Sequence, residues 1–235
     1  MEYKIKNYDV TALGELLIDF TENGLSRQGN FLMEANPGGA PCNVLAMLTK
    51  FGKKTAFIGK VGNDFLGHHL ADVVAKIGID TRNLLFDNAV HTTLAFVHTF
   101  EEGDRDFSFY RNPGADMMLR VKDVDQKLIA DSKLFHLGTL SMTNSEVRKA
   151  TKTAVMTAKK NGCLISFDPN LRVPLWNKLE EAKKCFDYGM KNCSILKISD
   201  KECSISKILI EEADYIINEI SSLGEEFFLK DIFEI

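Results

Sequence analysis

A chain of 235 residues, 45% of them hydrophobic, can bury a sizeable core as one large domain or as a domain with an appendage. Its formal net charge of -4, from 29 basic and 33 acidic residues without a long basic run, gives no electrostatic footprint for nucleic acid. No apolar run approaches the roughly 20 residues of a membrane span, and five singly scattered cysteines (Cys42, Cys163, Cys185, Cys193, Cys203) behind an N-terminus without a signal-peptide pattern predict reduced thiols and a cytoplasmic protein.

The mostly apolar run "DVTALGELLIDF", Asp9 to Phe20, predicts one buried strand that delivers Asp19 to the edge of a sheet. "RQGNFLMEANP" is short, polar and broken by Gly29, as a strand of a small exposed sheet would be. "PCNVLAMLTKFG" spaces Val44, Leu45, Leu48 and Phe51 as one helix face closed by Gly52. "KTAFIGKVG" then reads as a strand, and "DFLGHHLADVVAKIG" as a second amphipathic helix closed by Gly78.

Between Val90 and Arg111 the texture becomes β-branched and aromatic. "VHTTLAFVHTF" and "RDFSFYR", with "EEGD" between them as a hairpin loop, predict an antiparallel insertion. Alternation then resumes: "SKLFHLGTL" as strand, "SEVRKATKTAVMTAKKNG" as helix, "CLISFDPNLR" as strand and loop, "KLEEAKKCFDYGMKNC" as helix and "SILKIS" as strand. Strands alternating with helices imply right-handed parallel crossovers and a doubly wound α/β sheet, with ligands at the C-terminal ends of its strands. There is no internal repeat and no low-complexity linker.

The stretch "NPGGAPCNV", Asn36 to Val44, carries the most specific chemistry. Gly38 and Gly39 let backbone come close to a ligand, and Asn43 lies in the first turn of the following helix, where donors converge on a polyhydroxylated or anionic group. Taken alone, these nine residues read first as a Gly-Pro turn ahead of a core helix. Their context adds more: "GGAPCNVLAMLTKFGKKTAFIGKVGNDFLG" resembles the first signature of the ribokinase (PfkB) family of carbohydrate kinases, with its glycine pair, asparagine, helix and later glycines. "GELLIDF", "FSFYRNPGADMML", "FDPNLRVPLW" and "LKISDKE" follow in order and look like fructokinase-type members, so that the resemblance runs from Asp9 to about Glu202.

The resemblance implies a Rossmann-like, mostly parallel sheet with a small β-sheet lid built from about residues 16–36 and 90–111, all in one domain over 1–235 with a divergent tail at 203–235. By the same resemblance Asp19 accepts hydrogen bonds from sugar hydroxyls, Gly38, Gly39 and Asn43 hold the sugar, and Phe109 and Arg111 wall it from the lid. Asn170 and Arg172 match the positions that contact the transferring phosphates of ATP, and Lys197 and Glu202 those that organise phosphate and Mg2+, although Ser199 stands where many relatives have asparagine. Asp168 reads as structural, and the five histidines show no metal-ligand spacing. The implied partner is a small-molecule sugar, with no nucleic acid and no membrane, and a homodimer through the lid is expected.

After Glu202 the sequence departs from the family. A full member continues to a glycine-rich "GAGD" segment whose amides form an anion hole and whose aspartate is the base for the sugar hydroxyl. No G-x-G-D occurs in this tail, and "PGAD" at Pro113 to Asp116 belongs by order to the sugar side, so the catalytic base is left unassigned. The expectation is an ATP-dependent sugar kinase of fructokinase type by ancestry, C-terminally truncated, with its sugar half present and its catalytic half impaired. A non-catalytic sugar-binding or regulatory protein and a non-functional fragment are the alternatives.

Overall fold

The computed structural model describes residues 5–99 and 105–199. The chain divides into two units, Met1–Lys197 and Ile198–Ile235, and every element named below lies in the first. The run expected as one strand is two: β1 (Tyr8–Leu13) and β2 (Leu17–Leu25) belong to different sheets, so Asp19 sits on the third residue of β2 and not at the end of β1. The break falls at Gly14, where a Cβ would collide with the ring of Pro41. Alternation cannot reveal this break, because Leu13, Leu16, Leu17 and Ile18 are all buried on either side of it.

The chain continues through β3 (Phe31–Gly38), α1 (Ala40–Lys50), β4 (Thr55–Gly62), α2 (Phe65–Ile77) and β5 (Asp80–Asp87). Leu45 and Leu48 of α1 are buried, each side chain contributing about 1.5–3 kcal/mol, whereas Phe51 lies just past the helix and is 55% exposed, contrary to its expected place on the buried face. Helix α2 is capped at one end by the Asp64 carboxylate, which accepts from the Gly67 amide, and at the other by Gly78 with φ +101°. Strand β5 was not expected: its first half, "DTRN", is polar because it forms a sheet edge, where charged side chains suit an unpaired ladder.

Next come β6 (Leu94–Thr99) and β7 (Arg105–Tyr110), then α3 (Gln126–Ala130), β8 (Ser132–Gly138), α4 (Ser145–Lys160), β9 (Leu164–Asp168), α5 (Leu179–Asn192) and β10 (Ile195–Leu196). The main sheet has the order β10-β9-β8-β1-β4-β5, and every described pairing in it is parallel. The smaller sheet, β3-β2-β6-β7, is mixed: β2 runs parallel to β6 and the other pairs are antiparallel. This is an α/β, Rossmann-like fold with a β-sheet lid. From β1 the strand order steps one way to β4 and β5 and the other way to β8, β9 and β10, which makes β1 the switch point where such sheets open a crevice. Both the "EEGD" hairpin loop and the tail at 203–235 lie outside the described residues.

Helix α5 packs on β9 through Gly189, whose missing side chain is replaced by the buried ring of Phe167. A Gly189→Ala substitution is expected to force the two elements apart and to lower stability by about 1–3 kcal/mol, measured by urea denaturation.

Candidate functional site

A cleft of about 120 Å³ opens where the C-terminal ends of β1, β8 and β9 meet the lid. The lid contributes by register. Asp19 of β2 stands opposite Ala95 of β6, and Ala95 opposite Phe109 of β7, so Asp19 and Phe109 project from one face across a residue too small to separate them. The next row, Thr21, Val97 and Phe107, repeats the pattern, and Phe107 stacks on Phe109 with centroids 6.1 Å apart. The outer face carries a separate aromatic row in which Phe20 and Tyr110 both pack on Phe96.

The floor comes from the turn between β3 and α1. Gly39 has φ +122°, and a Cβ there would strike the carbonyl oxygen of Glu15; a Cβ on Gly38 would strike the Asp19 carboxylate. The two glycines therefore let the start of α1 close on β2, which brings Asn43 to the cleft beside Asp19. Beyond β9, Asn170 is held at φ +41°, a left-handed conformation uncommon for a residue with a Cβ and worth about 1–3 kcal/mol of strain. Arg172 follows, with its guanidinium 4.9 Å from the centroid of the Phe107 ring. Burial pushes the half-buried Asp19 carboxyl up from its ordinary range, and the charge of Arg172 opposes that rise.

The model of the pfkB family carbohydrate kinases matches residues 7–228. The chain belongs to the pfkB family of carbohydrate kinases. Among its relatives, probable fructokinase-2 of Arabidopsis thaliana is 44% identical over 197 residues, an alignment covering 82% of this chain and 59% of that protein. The crystal structure of a fructokinase from Xylella fastidiosa superposes with a TM-score of 0.82 at 30% identity, over 91% of this chain and 66% of the other. A putative ribokinase II from E. coli, solved in complex with ATP and Mg2+, gives 0.73 at 29% identity, over 83% and 63%. The chain thus spans less than two thirds of the length of each of these pfkB relatives.

In this pfkB-family chain the cleft gathers Asp19, Gly39, Asn43, Phe109, Asn170 and Arg172, with Gly38 directly behind Asp19. Residues expected on a sugar side and on a phosphate side share one cavity. Arg111 is a correction. It does not line the cleft: β7 ends at Tyr110, and the Arg111 guanidinium turns into the interior. There it donates to Asp116 Oδ2 at 2.8 and 2.6 Å, to Leu140 O at 2.9 Å and to Thr143 Oγ1 at 2.9 Å. Asp116 is equally enclosed and also accepts from Thr93 at 2.5 Å. Lys197 is likewise outside the cleft, ion-paired with Asp168 at 2.9 Å on an exposed side chain. Glu202 lies outside the described residues.

The sequence reading missed Glu15 and Phe107, both of which line the cleft. Phe107 was legible in principle, since it precedes Phe109 by two on an alternating strand. Glu15 is a charged residue inside an apolar run, a signal the one-strand reading absorbed. His136, one of the histidines without ligand spacing, is buried in β8, where desolvation and then Lys197 push it down to about 4, so its ring is neutral at pH 7.

Substitutions at Arg111, Asp116 and Asp19 check these placements. Arg111→Ala strands the buried Asp116 charge and is expected to cost about 3–5 kcal/mol in denaturant unfolding, with part of the loss recovered when Asp116→Ala is added. Asp19 behaves oppositely. Its carboxyl ionises less readily folded than unfolded, so it withdraws stability as pH rises from the ordinary carboxylate range through its raised folded value. The Asp19→Asn variant is therefore expected to melt above the parent at pH 7, with the gap closing in acid, as read from thermal melts across pH.

Proposed function

We propose that the chain carries the sugar-binding and phosphate-gathering residues of an ATP-dependent sugar kinase of fructokinase type, one that phosphorylates fructose or a related ketose at a primary hydroxyl. The observation that supports this best is the meeting of the Asp19 carboxylate and the Arg172 guanidinium in one cleft at the switch point of the sheet. A carboxylate only accepts, which suits the hydroxyls of a neutral polyol. Asn43 adds an amide beside it, and the Phe107 and Phe109 rings offer an apolar wall for the C–H face of a sugar ring. Arg172 presents a planar fork already oriented on Phe107, the geometry for a phosphoryl group at the far end of the sugar.

ATP and Mg2+ are the cofactors of this reading. Arg172 and Asn170 suit the terminal phosphates, and Lys197 and Glu202 stay assigned to the phosphate side. When bound, magnesium would neutralise charge on the β- and γ-phosphate oxygens. Glu202, which would help to hold the ion indirectly, lies outside the described residues. Asp116 is not the base for the sugar hydroxyl, being engaged with Arg111 and Thr93. A second reading, a sugar-binding protein without turnover, gives the two described cleft carboxylates, Asp19 and Glu15, binding and positioning roles and leaves the base for the sugar hydroxyl unassigned. The same proposal includes a reducing, cytoplasmic setting, in keeping with free thiols at the four described cysteines. It also includes pairing of two chains through the lid, whose edge strand β3 exposes Phe31, Leu32 and Met33.

Fructose is expected to raise the melting temperature of the 235-residue polypeptide, and Asp19→Ala to abolish that rise, because each lost buried hydrogen bond costs about 1–3 kcal/mol. A variant that responds as the parent does would refute the sugar assignment. Fructose binding without ADP release in a coupled assay would favour the second reading over the kinase.

A further inference from the structure

The cap of α1 comes from an unusual direction. Its N-cap residue, Gly39, has no side chain to satisfy the first amides, and no other side chain of the turn does so. Instead Glu15, on the link between β1 and β2, accepts from the Ala40 amide through Oε1 at 2.9 Å. The usual solution, serine or aspartate at the cap, is closed to this turn: φ at Gly39 is +122°, and a Cβ there would meet the Glu15 carbonyl oxygen. Glycine is required for the approach, and an acceptor must then come from the link it approaches. Glu15 is 3% exposed yet lines the cleft, which makes it a buried carboxylate at a place where an apolar residue would cost less.

We infer that Glu15 is a positioning residue of the cleft, whose carboxylate holds the first amide of α1 and so fixes the Gly38–Gly39 turn and Asn43 against Asp19. The inference rests on the sugar reading of the cleft. Several groups act on this carboxylate. Its own amide and that of Ala40 favour the ionised form, Asp116 disfavours it, Arg111 favours it, and Cys42 faces it from α1. Burial outweighs these and pushes Glu15 up to about 7. Protonation turns one acceptor oxygen into a donor, so the hold on Ala40 weakens as pH falls through that value.

The experiment compares the parent, Glu15→Ala, Glu15→Gln and Asp19→Ala by amide hydrogen exchange over residues 38–43 and by fructose titration calorimetry from pH 5.5 to 8.5. In Glu15→Ala the segment should exchange faster and fructose should bind about tenfold more weakly, the scale of one lost charge-assisted hydrogen bond. Glutamine keeps an acceptor for Ala40 but cannot titrate. Glu15→Gln should therefore restore most of the protection and affinity while losing the decline in affinity expected of the parent below about pH 7. Parental exchange in a folded Glu15→Ala chain, or an unchanged pH profile in Glu15→Gln, would overturn the inference. Should the alanine variant not fold, the glutamine profile decides alone. If fructose leaves the parent unaffected, the sugar reading fails and exchange over residues 38–43 judges Glu15 by itself.

Discussion

The site depends on one close approach of two backbones, the carbonyl of Glu15 and the Cα of Gly39, at a separation that leaves no room for a Cβ. Chain leaving the main sheet after β1 passes there against chain returning from the lid into α1. If the approach were relaxed by a side chain's width, α1 would move off β2, and Asn43 would leave Asp19. Neighbouring glycines extend the constraint: Gly14 gives way to Pro41, and Gly38 to the Asp19 carboxylate itself. The lid is thus joined to the sheet by contacts at van der Waals limits, which fixes the relative positions of the side chains that line the cleft.

Topology supplies the other half of the site. Because β1 is the strand from which the sheet order departs in both directions, the ends of β1, β8 and β9 leave a crevice that no helix of the described residues fills. Glu15 follows β1, Leu140 follows β8, and Asn170 and Arg172 follow β9, so four of the cleft residues are placed by strand order alone. The lid then sets its inner row over this opening through the register of β2, β6 and β7.

Much of this was legible in the sequence, and the failures have identifiable physical causes. Strand-helix alternation, the textured insertion and the glycine pair all carry local signals, and the structure contains a parallel sheet, a smaller mixed sheet and a tight turn at those places. The break after β1 was hidden because buried residues on both sides are apolar whichever sheet they join. Strand β5 was hidden because an edge strand need not be apolar. Arg111 was misplaced because the resemblance set it on the lid beside Phe109, and nothing local tells that the strand stops one residue earlier and the guanidinium turns inward. Its partner Asp116 is only five residues on, but a buried ion pair at that spacing leaves no periodic trace.

Arg111 and Arg172 show how burial and saturation separate an enclosed structural charge from one left open to a cleft. Arg111 and Asp116 are enclosed, and their hydrogen bonds go to each other, to Thr93, to Thr143 and to the Leu140 carbonyl, so a ligand would have to break a satisfied network to use either. Arg172 and Asp19 are half-buried, and neither makes a side-chain hydrogen bond among the described residues. They are desolvated enough for their charges to be felt, yet their donors and acceptors remain open. Burial raises the Asp19 carboxyl and the nearby charge of Arg172 opposes that rise without a hydrogen bond between them, so both side chains keep open hydrogen-bonding capacity toward the cleft. Open hydrogen-bonding capacity is therefore found here not where charge is most deeply buried but where burial has outrun hydrogen bonding.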